Sequence, residues 1–211
     1  MSLRRFKTLM LLLCAACLLL SGWMIYHSLS GLQMAGCGAG SSCDSVMGSR
    51  WAWIFGYVPV SLPAAVIYLL LAICTLFLSG EPVQDGSLNR LLLWIMPMFG
   101  GSLAGAALWF SWLQAGVLHA FCKYCTALHL LGCIMAITIM VYALKQASVR
   151  QTWSFFAAGV ATAMLFTFVQ TRTAPASIYA AGTTDSDLPS FSEDEVPVLQ
   201  AGPGAQDPQD L

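Results

Sequence analysis

The apolar residues of this chain come in long runs separated by short polar links, and a polar segment closes the sequence. A membrane helix needs about 20 mostly apolar residues to cross about 30 Å of hydrocarbon. Five runs qualify and predict spans over about 9–29, 58–78, 91–113, 122–144 and 153–169. From residue 171 the chain is rich in Pro, Gly, Ser, Thr and acids, without periodicity, and 171–211 reads as a disordered acidic tail. The pattern predicts an all-α integral membrane protein with one membrane domain over 1–170. In the third run, Gly101-Ser102-Leu103-Ala104-Gly105 has the small-xxx-small spacing that lets helices approach closely. Pro97 is expected to kink that helix.

Composition narrows the class. Of 211 residues, 58% are hydrophobic and only 9% charged, where a soluble domain carries about 25% charged. So few charges cannot cover a soluble surface, and no basic stripe exists to neutralise the phosphates of a nucleic acid. Seven of the ten acids (Asp185, Asp187, Glu193, Asp194, Glu195, Asp207, Asp210) fall after residue 180. Five spans alternate the links between two sides. Arg4, Arg5, Lys7, Arg90, Lys145 and Arg150 fall on one side, Arg50, Lys123 and Arg172 on the other. The positive-inside rule then puts the N-terminus in the cytoplasm. The loop 30–57, the link 116–121 and the tail fall outside. The first run begins like a signal peptide, but it exceeds the usual apolar core of about 7–15 residues and is expected to stay as an anchor. Cys14-Ala15-Ala16-Cys17 only loosely matches a lipoprotein cleavage site, because Cys14 is the wrong residue type there.

Eight cysteines carry most of the chemistry. Cys14, Cys17, Cys74 and Cys133 lie inside spans and read as small apolar packing residues. Cys37 and Cys43 lie in the outer loop, and Cys122 and Cys125 at the outer start of the fourth span, in Phe121-Cys122-Lys123-Tyr124-Cys125. Two pairs therefore gather at the oxidising face, where disulfides persist. At a helix start, residues three apart share a face, and the positive end of the helix dipole favours thiolate. Four outward cysteines are also a possible zinc set, but the five small residues Gly38 to Ser42 suit a movable loop disulfide better than a zinc knuckle. A structural disulfide explains one pair and not two. Two adjacent pairs point to a relay by thiol–disulfide exchange.

Such a relay needs an electron partner. No haem-attachment motif is present, since Thr126 follows Cys125, and no dinucleotide fingerprint is visible. A lipid-soluble quinone among the helices, ubiquinone or menaquinone, is the expected cofactor. Trp51, Trp53, Phe55, Tyr57, Trp109, Phe110, Trp112, Phe121 and Tyr124 cluster near the span ends as an interfacial belt, some of them candidates to line a pocket. His129, one turn deeper than Cys125, is a candidate to hydrogen-bond a quinone oxygen or to move a proton; pairing with a neighbouring helix is the other reading. His27 and His119 have no such placement.

These residues resemble the vitamin K epoxide reductase family, in its bacterial branch without a fused thioredoxin-like domain. The resemblance covers about residues 8–170. It rests on Cys37-Gly-Ala-Gly-Ser-Ser-Cys43, on Ser49-Arg50-Trp51 after it, and on Phe121-Cys-Lys-Tyr-Cys125 opening a later span. It implies a four-helix transmembrane bundle around a quinone with a fifth, peripheral helix. It implies that Cys122 and Cys125 form the pair facing the quinone and that Cys37 and Cys43 shuttle electrons to them. By the same resemblance, Cys43 exchanges with Cys122, leaving Cys125 free. Ser49 matches a pocket serine on a short loop helix, here Ser45 to Phe55, that caps the pocket. Bacterial members serve disulfide formation. Many continue into a thioredoxin-like domain, whereas only about 40 residues without cysteine follow here, so a separate thioredoxin-like or DsbA-like periplasmic partner is implied. His129 stands where the animal enzymes have tyrosine, a departure that bears on epoxide chemistry.

The leading expectation is thus a thiol:quinone oxidoreductase of a bacterial inner membrane. Two alternatives stand beside it. One runs the relay toward reduction of a quinone or its epoxide. The other is a metal-binding membrane scaffold with the four outer cysteines as ligands.

Overall fold

The structure is a computed structural model describing residues 1–38, 40–79 and 88–173, all within one compact unit. The helices are α1 Leu3–Ser30, α2 Ser42–Met47, α3 Ser61–Phe77, α4 Leu88–Trp112, α5 Lys123–Gln146 and α6 Val149–Thr173. A hairpin joins β1 Trp53–Ile54 to β2 Val58–Pro59, with Trp53 opposite Pro59 and Ile54 opposite Val58.

The helices begin and end where local chemistry dictates. The Ser2 hydroxyl accepts from the Arg5 N–H at the start of α1, and Gly31, at φ 67°, closes it. Ser41 caps α2 through the Asp44 N–H. Pro97 lies buried inside α4, which passes without interruption into one wider π-type turn, Leu113–Val117. α1, α4 with this turn, α5 and α6 have the length and apolarity to cross a membrane. α3 has 17 residues, about 25 Å at the usual rise, and starts at Ser61 because Val58 and Pro59 are spent on the hairpin.

α1, α3, α4 and α5 form a closed ring in which each helix touches its two neighbours. The bundle core includes Phe6, Cys17, Leu71, Met135 and Ile139, with Phe6 stacked on Tyr142 at 4.0 Å between centroids. Leu12, Leu19, Leu108 and Ile137 point outward, as apolar residues do toward lipid. α6 packs outside the ring, chiefly on α4. There the backbones meet. A Cβ at Gly101 would strike the Phe156 carbonyl, and one at Gly159 the Met98 carbonyl. The Ser102 hydroxyl donates across this contact to the Gly159 carbonyl at 3.1 Å.

The segment expected as one loop helix over Ser45–Phe55 is instead two shorter pieces. α2 ends at Gly48, a single 3-10 turn covers Arg50–Ala52, and the chain then enters β1. Phe55 and Gly56 both take positive φ, 52° and 84°, which no helix accommodates and a tight hairpin turn requires. The expected outer link begins late, because the π-type turn continues to Val117. Of the expected tail, Thr171–Thr173 extend α6, and the remainder lies outside the described residues.

Candidate redox site

Cys37 and Cys43 are joined in a disulfide with their Cα atoms 5.3 Å apart. A turn places Cys37, whose N–H donates to the Met34 carbonyl, and Cys43 sits in the first turn of α2. The Cys43 sulfur lies 3.5 Å from the sulfur of Cys122. Cys122 is the N-cap of α5, one residue outside the span, and its Sγ accepts the Cys125 N–H at 3.2 Å. Its own N–H donates to Gln114 Oε1 at 2.8 Å, and its carbonyl accepts from the Thr126 hydroxyl. The Cys122 thiol is lowered to about 7: the Cys125 thiol donates to it, the Cys125 and Tyr124 N–H groups and the Lys123 charge assist, and burial opposes. A sulfur that ionises near neutrality is both an attacking and a leaving group.

The loop is fastened to this helix start. Tyr124 donates its hydroxyl to the Ala35 carbonyl at 2.7 Å. The Lys123 ammonium lies close against Gly36, whose φ is 68°, so a side chain there would be strained and would have to displace the ammonium. Cys37 and Cys43 are each 4% exposed and Cys122 is fully buried, so three of the four sulfurs are closed off from solvent.

Beneath the sulfurs is a cavity of about 320 Å³ with mostly apolar walls. Cys125, His129 and Gln114 border it from α5 and the π-type turn, and Ser49 and Trp51 from the loop. Phe110 also borders it, its ring parallel to His129 with centroids 5.8 Å apart. Ser49 donates its hydroxyl to the Val46 carbonyl at 2.7 Å. Of the aromatic residues singled out from sequence, only Trp51 and Phe110 reach this cavity. Cys14 and Cys17 are buried within α1, with the Cys17 thiol 3.9 Å from the Met135 sulfur. His27 bonds the Leu32 carbonyl and His119 lies in a left-handed turn, both away from the cavity.

Among the described residues no group of three or more His, Cys, Asp or Glu is placed to hold a metal ion. With Cys37 bonded to Cys43, only Cys122 and Cys125 of the four remain as thiols. Sequence reasoning missed Gln114 and the anchoring role of Tyr124. The signal for Gln114 was present: a lone amide in the apolar stretch Leu113–Val117.

A ring of apolar helices with two dithiol couples in contact at one end defines a helical membrane protein equipped for thiol–disulfide exchange. The model of the vitamin K epoxide reductase family matches residues 8–140, more than half of the chain, and the chain belongs to that family. It is accordingly an all-α integral membrane protein of an oxidoreductase family whose members are quinone-linked. The matched segment contains the disulfide, Cys122, Cys125 and His129, and it ends before α6.

Proposed function

We propose that the protein is a membrane thiol:quinone oxidoreductase. It takes electrons from a separate thioredoxin-like or DsbA-like periplasmic protein and passes them through Cys37/Cys43 and Cys122/Cys125 to ubiquinone or menaquinone of the membrane pool, supporting disulfide formation. One observation carries this reading: the Cys43 and Cys122 sulfurs are 3.5 Å apart while Cys125 borders the cavity. The distribution of basic residues favours a cytoplasmic N-terminus and an outer-facing site, and a bacterial inner membrane is the location that goes with a periplasmic partner.

The exchange steps balance as follows. A partner thiolate attacks Cys37, the Cys37–Cys43 bond breaks, and Cys43 leaves as thiolate. The partner's second thiol resolves the mixed bond and frees Cys37. Cys43 then attacks Cys122 of an oxidised Cys122–Cys125 pair, forming a Cys43–Cys122 bond and releasing Cys125. Cys37 closes back on Cys43 and releases Cys122. The partner has lost two electrons and two protons, and Cys122/Cys125 hold them as thiols. That is the state seen here, with Cys37–Cys43 closed and both other sulfurs free.

The cavity fits a quinone in volume and in its mix of flat apolar walls with few polar groups. A bound quinone accepts two electrons and two protons. Gln114 and His129 are the side chains placed to donate to its oxygens. Ser49 borders the cavity from the loop, with its proton committed to the Val46 carbonyl.

Purified Cys125→Ala protein should lose quinone reduction, and the Cys37→Ala, Cys125→Ala double variant, treated with diamide as the two-electron oxidant, should accumulate a Cys43–Cys122 disulfide on non-reducing peptide mapping. Full activity in the Cys125→Ala variant would overturn the mechanism.

A further inference from the structure

Helix α6 lies outside the segment matched to the family and outside the four-helix ring, yet it reaches the cavity. Thr162, Ala163, Phe166 and Thr167 form part of its wall. Both threonine hydroxyls are bonded within the helix, Thr162 to the Ala158 carbonyl at 2.9 Å and Thr167 to the Met164 carbonyl at 2.8 Å. This wall therefore offers hydrocarbon rather than hydrogen bonds. The cavity's other polar side chains, among them Gln114, His129, Tyr68 and Ser49, lie on other elements.

One turn further along α6, Gln170 is 4% exposed and donates from Nε2 to two backbone carbonyls, Trp51 at 3.1 Å and Trp53 at 3.2 Å. Trp51 belongs to the loop that covers the cavity. The glycine contacts of α6 with α4 fix the helix against the ring, so its cavity face and its amide are held in one register.

We infer that α6 is a working part of the ligand site: its 162–167 face receives the apolar tail of a prenylated quinone, and Gln170 positions the loop that covers the ring. This rests on the cavity being the quinone site.

Full-length protein in detergent, reduced by dithiothreitol, is assayed with a tail-less benzoquinone and with its decyl-tailed counterpart. Phe166→Ala should raise KM for the decyl quinone about tenfold, the scale of one or two lost methylene contacts, and leave the tail-less quinone within about twofold. Gln170→Glu keeps the size of the side chain but not its donors, and should raise KM about tenfold for both acceptors. The rate at which dithiothreitol opens Cys37–Cys43 without quinone should not change in either variant. Unaltered KM for the decyl quinone in both variants overturns the inference. Should the variants fail to fold, the unmodified protein is labelled with a decyl azidoquinone. Competable label within residues 162–170 supports the inference, and label confined to α3, α4 and α5 overturns it. If the unmodified protein reduces neither quinone, the functional reading itself has failed, independently of α6.

Discussion

Cys122 is the residue on which the site turns. It touches the sulfur upstream, receives the N–H of Cys125 downstream, and has its own N–H held by Gln114. With its thiol lowered below the ordinary cysteine value by the Cys125 thiol and the neighbouring N–H groups, Cys122 forms thiolate at a lower pH than a free cysteine does. Titration of the ultraviolet thiolate absorbance should show a step near pH 7 that Cys122→Ser removes; a first step near the ordinary cysteine value of about 8.5 would contradict the geometry. Gln114→Leu leaves a buried N–H unpaired at a cost of about 1–3 kcal/mol. It should lower both thermal stability and turnover, and Gln114→Glu, which keeps the acceptor for the Cys122 N–H but loses the amide donor, should recover much of the stability and not the turnover. The sequence displayed the Cys122-x-x-Cys125 pair openly, because residues three apart at a helix start are neighbours by backbone geometry alone. Gln114 was harder to see. Its bond to Cys122 spans eight residues and depends on where the π-type turn sets down the amide, which no periodicity encodes.

Among the elements, the loop that carries Cys37 and Cys43 controls access to the buried sulfurs. Tyr124 ties it down through Ala35, and Lys123 fills the space beside Gly36. Loss of one such hydrogen bond weakens the hold by about 1 kcal/mol, about fivefold in the open population. Tyr124→Phe should therefore speed reduction of Cys37–Cys43 by a protein dithiol about fivefold in stopped-flow measurements, while quinone reduction by the pre-reduced protein stays unchanged. α6 is set by backbone contact instead. Gly159→Leu drives a side chain into the Met98 carbonyl and should lower the melting temperature sharply, where Leu165→Ala on the outward face should not. The Gly101–Gly105 spacing announced a close helix contact but not its partner. The β1–β2 hairpin gave no sequence warning, because Phe55 is an unusual residue at positive φ and only the covering loop forces it there.

For the whole molecule, the apolar runs were legible because a bilayer requires length and apolarity, two properties that composition alone reveals. Each run overlaps one helix, four of them long enough to span and α3, at 17 residues, the short one. Which helices close the ring was not legible. α3 is held between α1 and α4, and α6 is excluded to the far side of α4, by side-chain shapes and glycine notches that hydropathy does not register. The family resemblance supplied the four-helix ring in advance, and the structure adds that the outlying helix borders the cavity.

The burial of the sulfurs has one further consequence. Because Cys37, Cys43 and Cys122 present almost no surface, a small free thiol reaches them only when the loop opens on its own, so such reagents react slowly and at high concentration. A macromolecule that lifts the loop would make the connection far faster. In the proposed relay, mechanical access then favours a donor able to move the loop, before redox potential has any say.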